Sequence, residues 1–305
     1  ACADAVARLG EIAGAFRDVG WQRCDSVYYA GRPGHAARLA REFALRKRHG
    51  FDVEWLDAAR LRERYGFAAA AAIVNRPAAA LDPYRLTNRL LQRLRRNGNG
   101  VHERSRVERI EVGRRDVRLH TSHGAVVRAG HVVVAAGYAS QRWLREHVAR
   151  NRSSYAFVSE PVDAAALGPL RRTLLWESSR PYLYLRCTRD GRVIVGGEDD
   201  ALDLPARRDR RVARKALRLL DRAQALFPRL PLQPAFCWGG TFAETRDGLP
   251  WFGPHPQYGR RVLFALAYGG NGITFSVLGA GLLRALIERR AHPLRELFGF
   301  GRRPR

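Results

Sequence analysis

The stretch "FALAYGGNGITFSVLGAGLLRALI", residues 264–287, limits this chain more than any other. An apolar run of strand length meets the turn Gly269-Gly270-Asn271-Gly272, and an apolar helix pattern follows at once. Glycines let a backbone turn sharply and approach a ligand with no Cβ in the way. The N–H groups that open the next helix lack partners within it and carry partial positive charge. Such a turn suits an electron-rich carbonyl or an anion. The helix is apolar on nearly every side, through Val277, Leu278, Leu282, Leu283, Leu286 and Ile287. A ligand turn and a plain strand-to-helix crossover with glycine caps both satisfy the pattern. No GxGxxG occurs in the 305 residues.

A chain of this length buries a large core, as one large or two smaller domains. No run of about 18 apolar residues appears, so no membrane-spanning helix is expected. The opening "ACADAVARLGEIAGAF" carries acids and lacks the basic-then-apolar order of a signal peptide. Met is absent throughout, so Ala1 reads as an interior cut and the chain as N-terminally truncated. Lys and Arg total 54 against 29 acids, a net charge of +25, and only Lys47 and Lys215 are lysines. That excess suits nucleic acid, an anionic surface or an acidic partner. The arginines are scattered over helix patterns such as "LQRLRRN", and no RRM, KH or zinc-finger pattern accompanies them. Nucleic acid is therefore not the expected partner. Cys2, Cys24, Cys187 and Cys237 form no CxxC pair and have no His at ligand spacing, so no metal site is expected. Unpatterned thiols fit a reducing compartment, and a cytoplasmic location is expected.

Periodicity predicts helices over 1–20, 34–49, 57–66 and 83–98, with Asp57 as an N-cap, Pro83 in a first turn and Gly98 past an end. Strands are expected at 26–30, 51–56 and through 101–137, then a helix over 139–150. "HVVVAAG" reads as a strand buried on both faces, as in a parallel sheet. From 153 onward, strands joined by an Asp190-Gly191 hairpin turn look like a separate antiparallel sheet. A long basic helix stops at Pro228. The fold class is α/β (α+β mixed), with a parallel layer interleaved with an antiparallel-sheet domain. The expected boundaries are 1–25, 76–150 and 236–305 for the first, and 26–75 and 151–235 for the second.

Two further constellations stand out. In "AETRDGLPWFG", Asp247 suits bonds from turn amides, and Arg246 suits a phosphate or carboxylate. In "PYLYLRCT", strand alternation puts Tyr182, Tyr184 and Arg186 on one face. That face is either a substrate pocket or the solvent side of the sheet. Gly-x-Ser-x-Gly and HExxH are absent, and the nine histidines are dispersed.

The ordered set "RVERI", "VVVAAGYAS", "YLRCTRDGRVIVGGED", "WGGTFAETRDGLPWFG" and "YGGNGITFS" resembles the FAD-dependent amine and amino-acid oxidoreductases of the D-amino-acid oxidase superfamily. The resemblance runs from about residue 20 to the end. It implies a FAD/NAD(P)-binding-type layered sheet and non-covalent FAD. It implies that the backbone near Val107 meets the adenine, and that Ala135, Ala136 and Gly137 lie beside the ribose and pyrophosphate. Arg246 and Asp247 fall on the family's cofactor side. Gly269, Gly270, Asn271, Gly272, Ile273 and Thr274 would cradle the flavin ring. The family's opening strand–GxGxxG–helix unit is missing from this chain.

Relatives that oxidise amino acids often carry an Arg for the substrate carboxylate where this chain has Phe242. That departure looks more like the γ-glutamylputrescine oxidase branch and favours an amine substrate. Gly240 stands where covalent-flavin relatives have a Cys. Tyr184, Arg186 and Trp238 are the expected substrate residues, and no catalytic residue is named. Hydride transfer from a neutral amine needs no general base. The rival expectation is a truncated, non-catalytic remnant or basic binding protein that does not hold FAD.

Overall fold

The computed structural model describes residues 1–201 and 203–302. Switching between periods of 3.6 and two gives the element order. It begins α1 (Cys2–Gly14), β1 (Gln22–Tyr29), α2 (Ala36–Arg48), β2 (Val53–Asp57), α3 (Ala58–Tyr65), β3 (Ala71–Ala80) and α4 (Pro83–Arg96). Four short strands follow: β4 (Val107–Val112), β5 (Val117–Thr121), β6 (Val126–Ala129) and β7 (Val132–Val134). Then come β8 (Arg150–Ser159), α5 (Ala164–Leu167), β9 (Thr173–Glu177), β10 (Leu183–Cys187), β11 (Val193–Asp200) and α6 (Pro205–Leu226). The chain ends with β12 (Pro234–Glu244), β13 (Trp251–Pro254), β14 (Val262–Leu266), α7 (Gly272–Ile287) and α8 (Arg295–Phe298). Asp57 caps α3, its Oδ1 accepting from the Arg60 amide at 2.9 Å.

The chain divides into two compact units. Unit 1 comprises Ala1–Phe16, Pro83–Asn151 and Phe242–Arg305. Its central sheet runs β13-β14-β7, and a second sheet is the meander β4-β5-β6. β14 is antiparallel to β13 but parallel to β7, with Val262 opposite Val132 and Phe264 opposite Val134. All five β14 residues are buried, because both faces are covered. Val262, Phe264 and Leu266 pack with Val134 and Trp251 on one side. Leu263 and Ala265 pack with Phe252 and with Leu282 and Leu283 of α7 on the other. Each of the Val, Leu and Phe side chains contributes roughly 1.5–3 kcal/mol. Gly279 allows this approach: a Cβ there would stand 2.2 Å from the Phe252 ring.

Unit 2 comprises Arg17–Asp82 and Arg152–Thr241. Its sheet has eight strands in the order β12-β8-β11-β10-β9-β1-β3-β2. The sequence suggests a separate antiparallel sheet from 153 onward. Instead those strands join β1–β3, and β1 runs parallel to β9 from Asp25/Thr173 to Tyr29/Glu177. Helix α6 buries Ala216, Leu219 and Ala223 in the same core as Leu175, Leu185 and Val195. Lys215 is 5% exposed. It is held by the Glu198 carbonyl at 2.6 Å and by Asp200 Oδ1 at 3.0 Å. A buried ammonium persists only with partners of this kind.

The expected helix over 139–150 is not formed. A 3-10 turn covers Gly137–Trp143, and an irregular segment leads into β8. Side-chain bonds replace the helical ones. Gln141 bonds the Glu146 carbonyl and the Val148 amide, and the Trp143 carbonyl accepts from Gln257 and Tyr258. The strand expected from 101 begins only at Val107.

Candidate functional site

In unit 1 the parallel neighbours β7 and β14 point their carboxyl ends the same way. β7 runs into Ala135-Ala136-Gly137, and β14 into the turn that opens α7. In layered α/β sheets, ligands sit outside the carboxyl ends of parallel strands. Ala267, the residue after β14, has φ 63° although it is not glycine. A side chain held in the left-handed region costs on the order of 1 kcal/mol, and such strain gathers at functional sites. Gly269 follows at φ 56°, its amide bonded to the Ala243 carbonyl at 2.9 Å. A Cβ built on Gly269, Gly270 or Gly137 meets nothing within 4 Å, so open space faces these backbones.

The Asn271 amide turns back to the Tyr268 carbonyl at 3.2 Å, and the Asn271 side chain makes no cap bond. Among the described residues, no acceptor meets the amides of Gly270, Gly272, Ile273 and Thr274. Ile273 is 44% exposed beside them. The turn therefore offers unspent N–H donors, bare backbone and an apolar surface. A planar, electron-rich ring with carbonyl groups fits that set.

Across the parallel pair, Ala135 and Ala136 are exposed. The Ala136 amide is spent on Ser140 Oγ at 3.0 Å, which pins the turn. Gly137 takes φ 56°. The Val107 carbonyl, on β4, is occupied by the Arg142 guanidinium at 2.8 Å.

Asp247 has a structural task. Its carboxylate accepts from Thr245 Oγ1 at 2.8 Å, from the Leu249 amide at 3.1 Å and from Arg302 at 2.8 and 3.1 Å. Burial alone would raise its pKa. The bonds from Arg302, Thr245 and Leu249 outweigh burial and hold it at about 2. Arg302 also donates to the Leu249 and Pro250 carbonyls and lies 3.5 Å above the Trp251 ring. This clamp fixes the turn before β13. Arg246 beside it is exposed. The Asp-Gly-x-Pro signal marks the turn in the sequence. Nothing there marks Arg302, 55 residues away, as its partner.

The expected substrate residues lie in unit 2. β10 alternates as read: Leu183, Leu185 and Cys187 are buried, while Tyr184 is 40% exposed and Arg186 half-buried on the other face. The Tyr184 ring lies over Gly196, where a Cβ would stand 2.3 Å from it. Burial lowers the Arg186 pKa against the attraction of Asp82. Trp238 is 44% exposed on β12, three strands from β10 in the sheet order, a spacing of about 14 Å across the sheet. Tyr184 and Arg186 are thus brought together, and Trp238 is not beside them. Burial pushes the Cys24 thiol up to about 12 and the Cys187 thiol to about 11, so both are neutral packing groups. Among the described residues, no group of three or more His, Cys, Asp or Glu is placed to hold a metal, and no helix is long and apolar enough to cross a membrane.

Unit 1 is thus a layered α/β unit with glycine turns at the carboxyl ends of parallel strands, and unit 2 is built on a large mixed sheet. The profile of the FAD dependent oxidoreductase (DAO) family matches residues 1–286, and the chain belongs to that family, whose cofactor is FAD. It is 34% identical over 170 residues to a glycine oxidase of Geobacillus kaustophilus, covering 55% of this chain and 43% of that one. Over 226 residues it is 27% identical to a glycine oxidase of Bacillus licheniformis, covering 72% and 58%. The chain thus spans about half the length of these curated relatives. The crystal structure of glycine oxidase from Geobacillus kaustophilus superposes with a TM-score of 0.83 at 22% identity, over 98% of this chain and 82% of that one. Iminodiacetate oxidase from Chelativorans sp. BNC1 gives 0.81 at 17% identity, over 98% and 82%. At those identities the structures share the fold.

Proposed function

We propose that this chain belongs to an FAD-dependent oxidoreductase that oxidises a C–N bond of an amine or amino-acid-like substrate. The observation that carries the reading is the β14–α7 turn, with unspent amides over open space at the carboxyl ends of two parallel strands. Gly269, Gly270, Asn271, Gly272, Ile273 and Thr274 would hold the flavin ring, and Ala135, Ala136 and Gly137 the neighbouring ribose side. Val107 would meet the adenine through backbone other than its occupied carbonyl. Arg246, exposed beside the clamped turn, is free to meet the cofactor's anionic side, while Asp247 acts by holding that turn. Bound FAD would accept the hydride that leaves the substrate C–H, and the resulting imine hydrolyses in water.

The protein's own contribution is placement and electrostatics. The first-turn amides of α7 would stabilise negative charge at the electron-rich end of the ring. Tyr184 and Arg186 would line the substrate side, with Trp238 at greater distance. No side chain need remove a proton, because the substrate reacts as the neutral amine. Phe242 offers no charge to a carboxylate, which favours amines, whereas the glycine oxidase relatives favour small amino acids.

The test uses the protein purified with whatever sequence its gene encodes upstream of Ala1. It should carry flavin absorbance, and anaerobic addition of a substrate from a panel of glycine, sarcosine and primary amines should bleach it. A folded, colourless protein, or a flavin that no member of the panel reduces, overturns the proposal in favour of a non-catalytic member of the fold.

A further inference from the structure

Unit 2 holds a cleft of about 490 Å³ that the oxidoreductase reading does not use. It opens at the carboxyl ends of the parallel pair β1 and β9. β1 leads through Gly31-Arg32-Pro33-Gly34-His35 into α2, and β9 leads into Ser178-Ser179-Arg180. Three guanidinium groups line it, each from a different place: Arg32 from the turn, Arg38 from the first turn of α2, and Arg180 from the turn after β9. Tyr28 and Tyr182 supply ring surface.

The charges are poised for an anion. Arg38 is set in place by the Ser178 carbonyl at 2.8 Å and the Tyr28 hydroxyl at 3.4 Å. Arg180 lies 4.7 Å from the Tyr182 ring centroid. Among the described residues, the Arg32 guanidinium has no hydrogen-bond or ion-pair partner, and the Arg180 guanidinium has only that ring. The one acid in the lining, Glu42, is already paired with Arg46. His35 Nδ1 and Ser178 Oγ lie 2.7 Å apart, and Ser178 Oγ also accepts from the Gly31 amide. Ser179 is 8% exposed, and its hydroxyl has no hydrogen-bond partner among the described residues. A buried hydroxyl left unpaired costs about 1–3 kcal/mol, and each such group calls for an explanation.

We propose that this cleft binds a small organic phosphate. A tetrahedral dianion presents oxygens in several directions, as guanidinium forks from three separate segments require. A planar carboxylate occupies one fork. The volume exceeds a bare phosphate and falls in the range of small-molecule sites. The remaining space, walled by Tyr28 and Tyr182, takes an apolar or aromatic portion.

Phenyl phosphate is the probe, titrated calorimetrically into the full chain at about 0.15 M salt, where general surface attraction is screened. The expected result is saturable binding at one site. Arg32→Gln and Arg180→Gln should each weaken it about tenfold, the double variant by about a hundredfold, and benzoate should bind at least tenfold more weakly. Both arginines are exposed, so the single variants are expected to fold. Independently, crystals of the unaltered protein soaked in phenyl phosphate should show it among Arg32, Arg38 and Arg180. Absence of binding, binding unchanged in both variants, or density elsewhere on the basic surface overturns the proposal. Equal affinity for benzoate overturns its phosphate class.

Discussion

Two pairs of parallel strands in this chain end in turns, and the turns are made of opposite materials. At β7 and β14 the mouth is bare backbone: Ala135, Ala136, Gly137 and Gly269 to Gly272, with amides as donors and no charged side chain in the turn itself. At β1 and β9 the mouth is side chains: Arg32, Arg38 and Arg180 around a cleft. The topology is the same, because parallel strands must each cross over and so leave their loops at one end. The filling decides the ligand. Bare amides suit a large, flat, weakly charged ring that must lie close to the backbone. Guanidinium groups suit a compact, highly charged group at side-chain distance. The first is the cofactor's place in the proposed function, and the second is the proposed phosphate cleft.

The comparison can be broken one mouth at a time. The largest effect is expected from Arg302→Ala, which leaves Asp247 without its partner and the turn before β13 unclamped. Breaking a largely buried pair costs about 3 kcal/mol or more. Chemical denaturation should show that loss, with flavin retention falling while phenyl phosphate binding persists.

A smaller effect comes from acid. Asp247 titrates at about 2 in the folded protein, below its ordinary value of 3.8. The stability it confers is therefore whole above about pH 4 and is lost as pH falls toward 2. It amounts to about 1–2 kcal/mol once solvent screening is allowed for. Stability measured from pH 5 to 2 should show this limb, and Arg302→Ala should flatten it.

Gly270→Leu should leave stability within about 0.5 kcal/mol, since its Cβ enters open space. It should weaken FAD binding at least tenfold, about 1.4 kcal/mol, as read by flavin retention on dialysis. A stable variant that binds FAD normally removes the bare turn from the site. In the other mouth, Arg38→Ala removes the bonds to Ser178 and Tyr28 at about 1 kcal/mol. It should weaken phenyl phosphate about tenfold without changing the flavin spectrum. The smallest effect is expected from Tyr184→Phe, which keeps the ring over Gly196 and loses only the hydroxyl. A few-fold rise in KM with unchanged kcat places Tyr184 in the substrate pocket. No change assigns that face to solvent.

Several readings follow from local pattern. The β14–turn–α7 unit is legible because apolar periodicity and glycines act within about twenty residues. The alternation of β10 and the Asp57 cap are legible for the same reason. The helix read over 139–150 is absent because Gln141, Trp143, Gln257 and Tyr258 offer the backbone bonds that local propensity does not weigh. The sheet of unit 2 is mixed because β1, read near the start of the chain, pairs with β9, almost 150 residues later.

The sequence by itself determined the family, the two periodicities and the glycine turn, since each is written in neighbouring residues. Only the tertiary structure decided that Asp247 belongs to Arg302, that Trp238 stands three strands from Tyr184, and that Arg32, Arg38 and Arg180 share one cleft. Those are contacts between distant segments. They are set by strand order and by the cost of leaving buried charges and hydroxyls unpaired, and neither is visible in a local window.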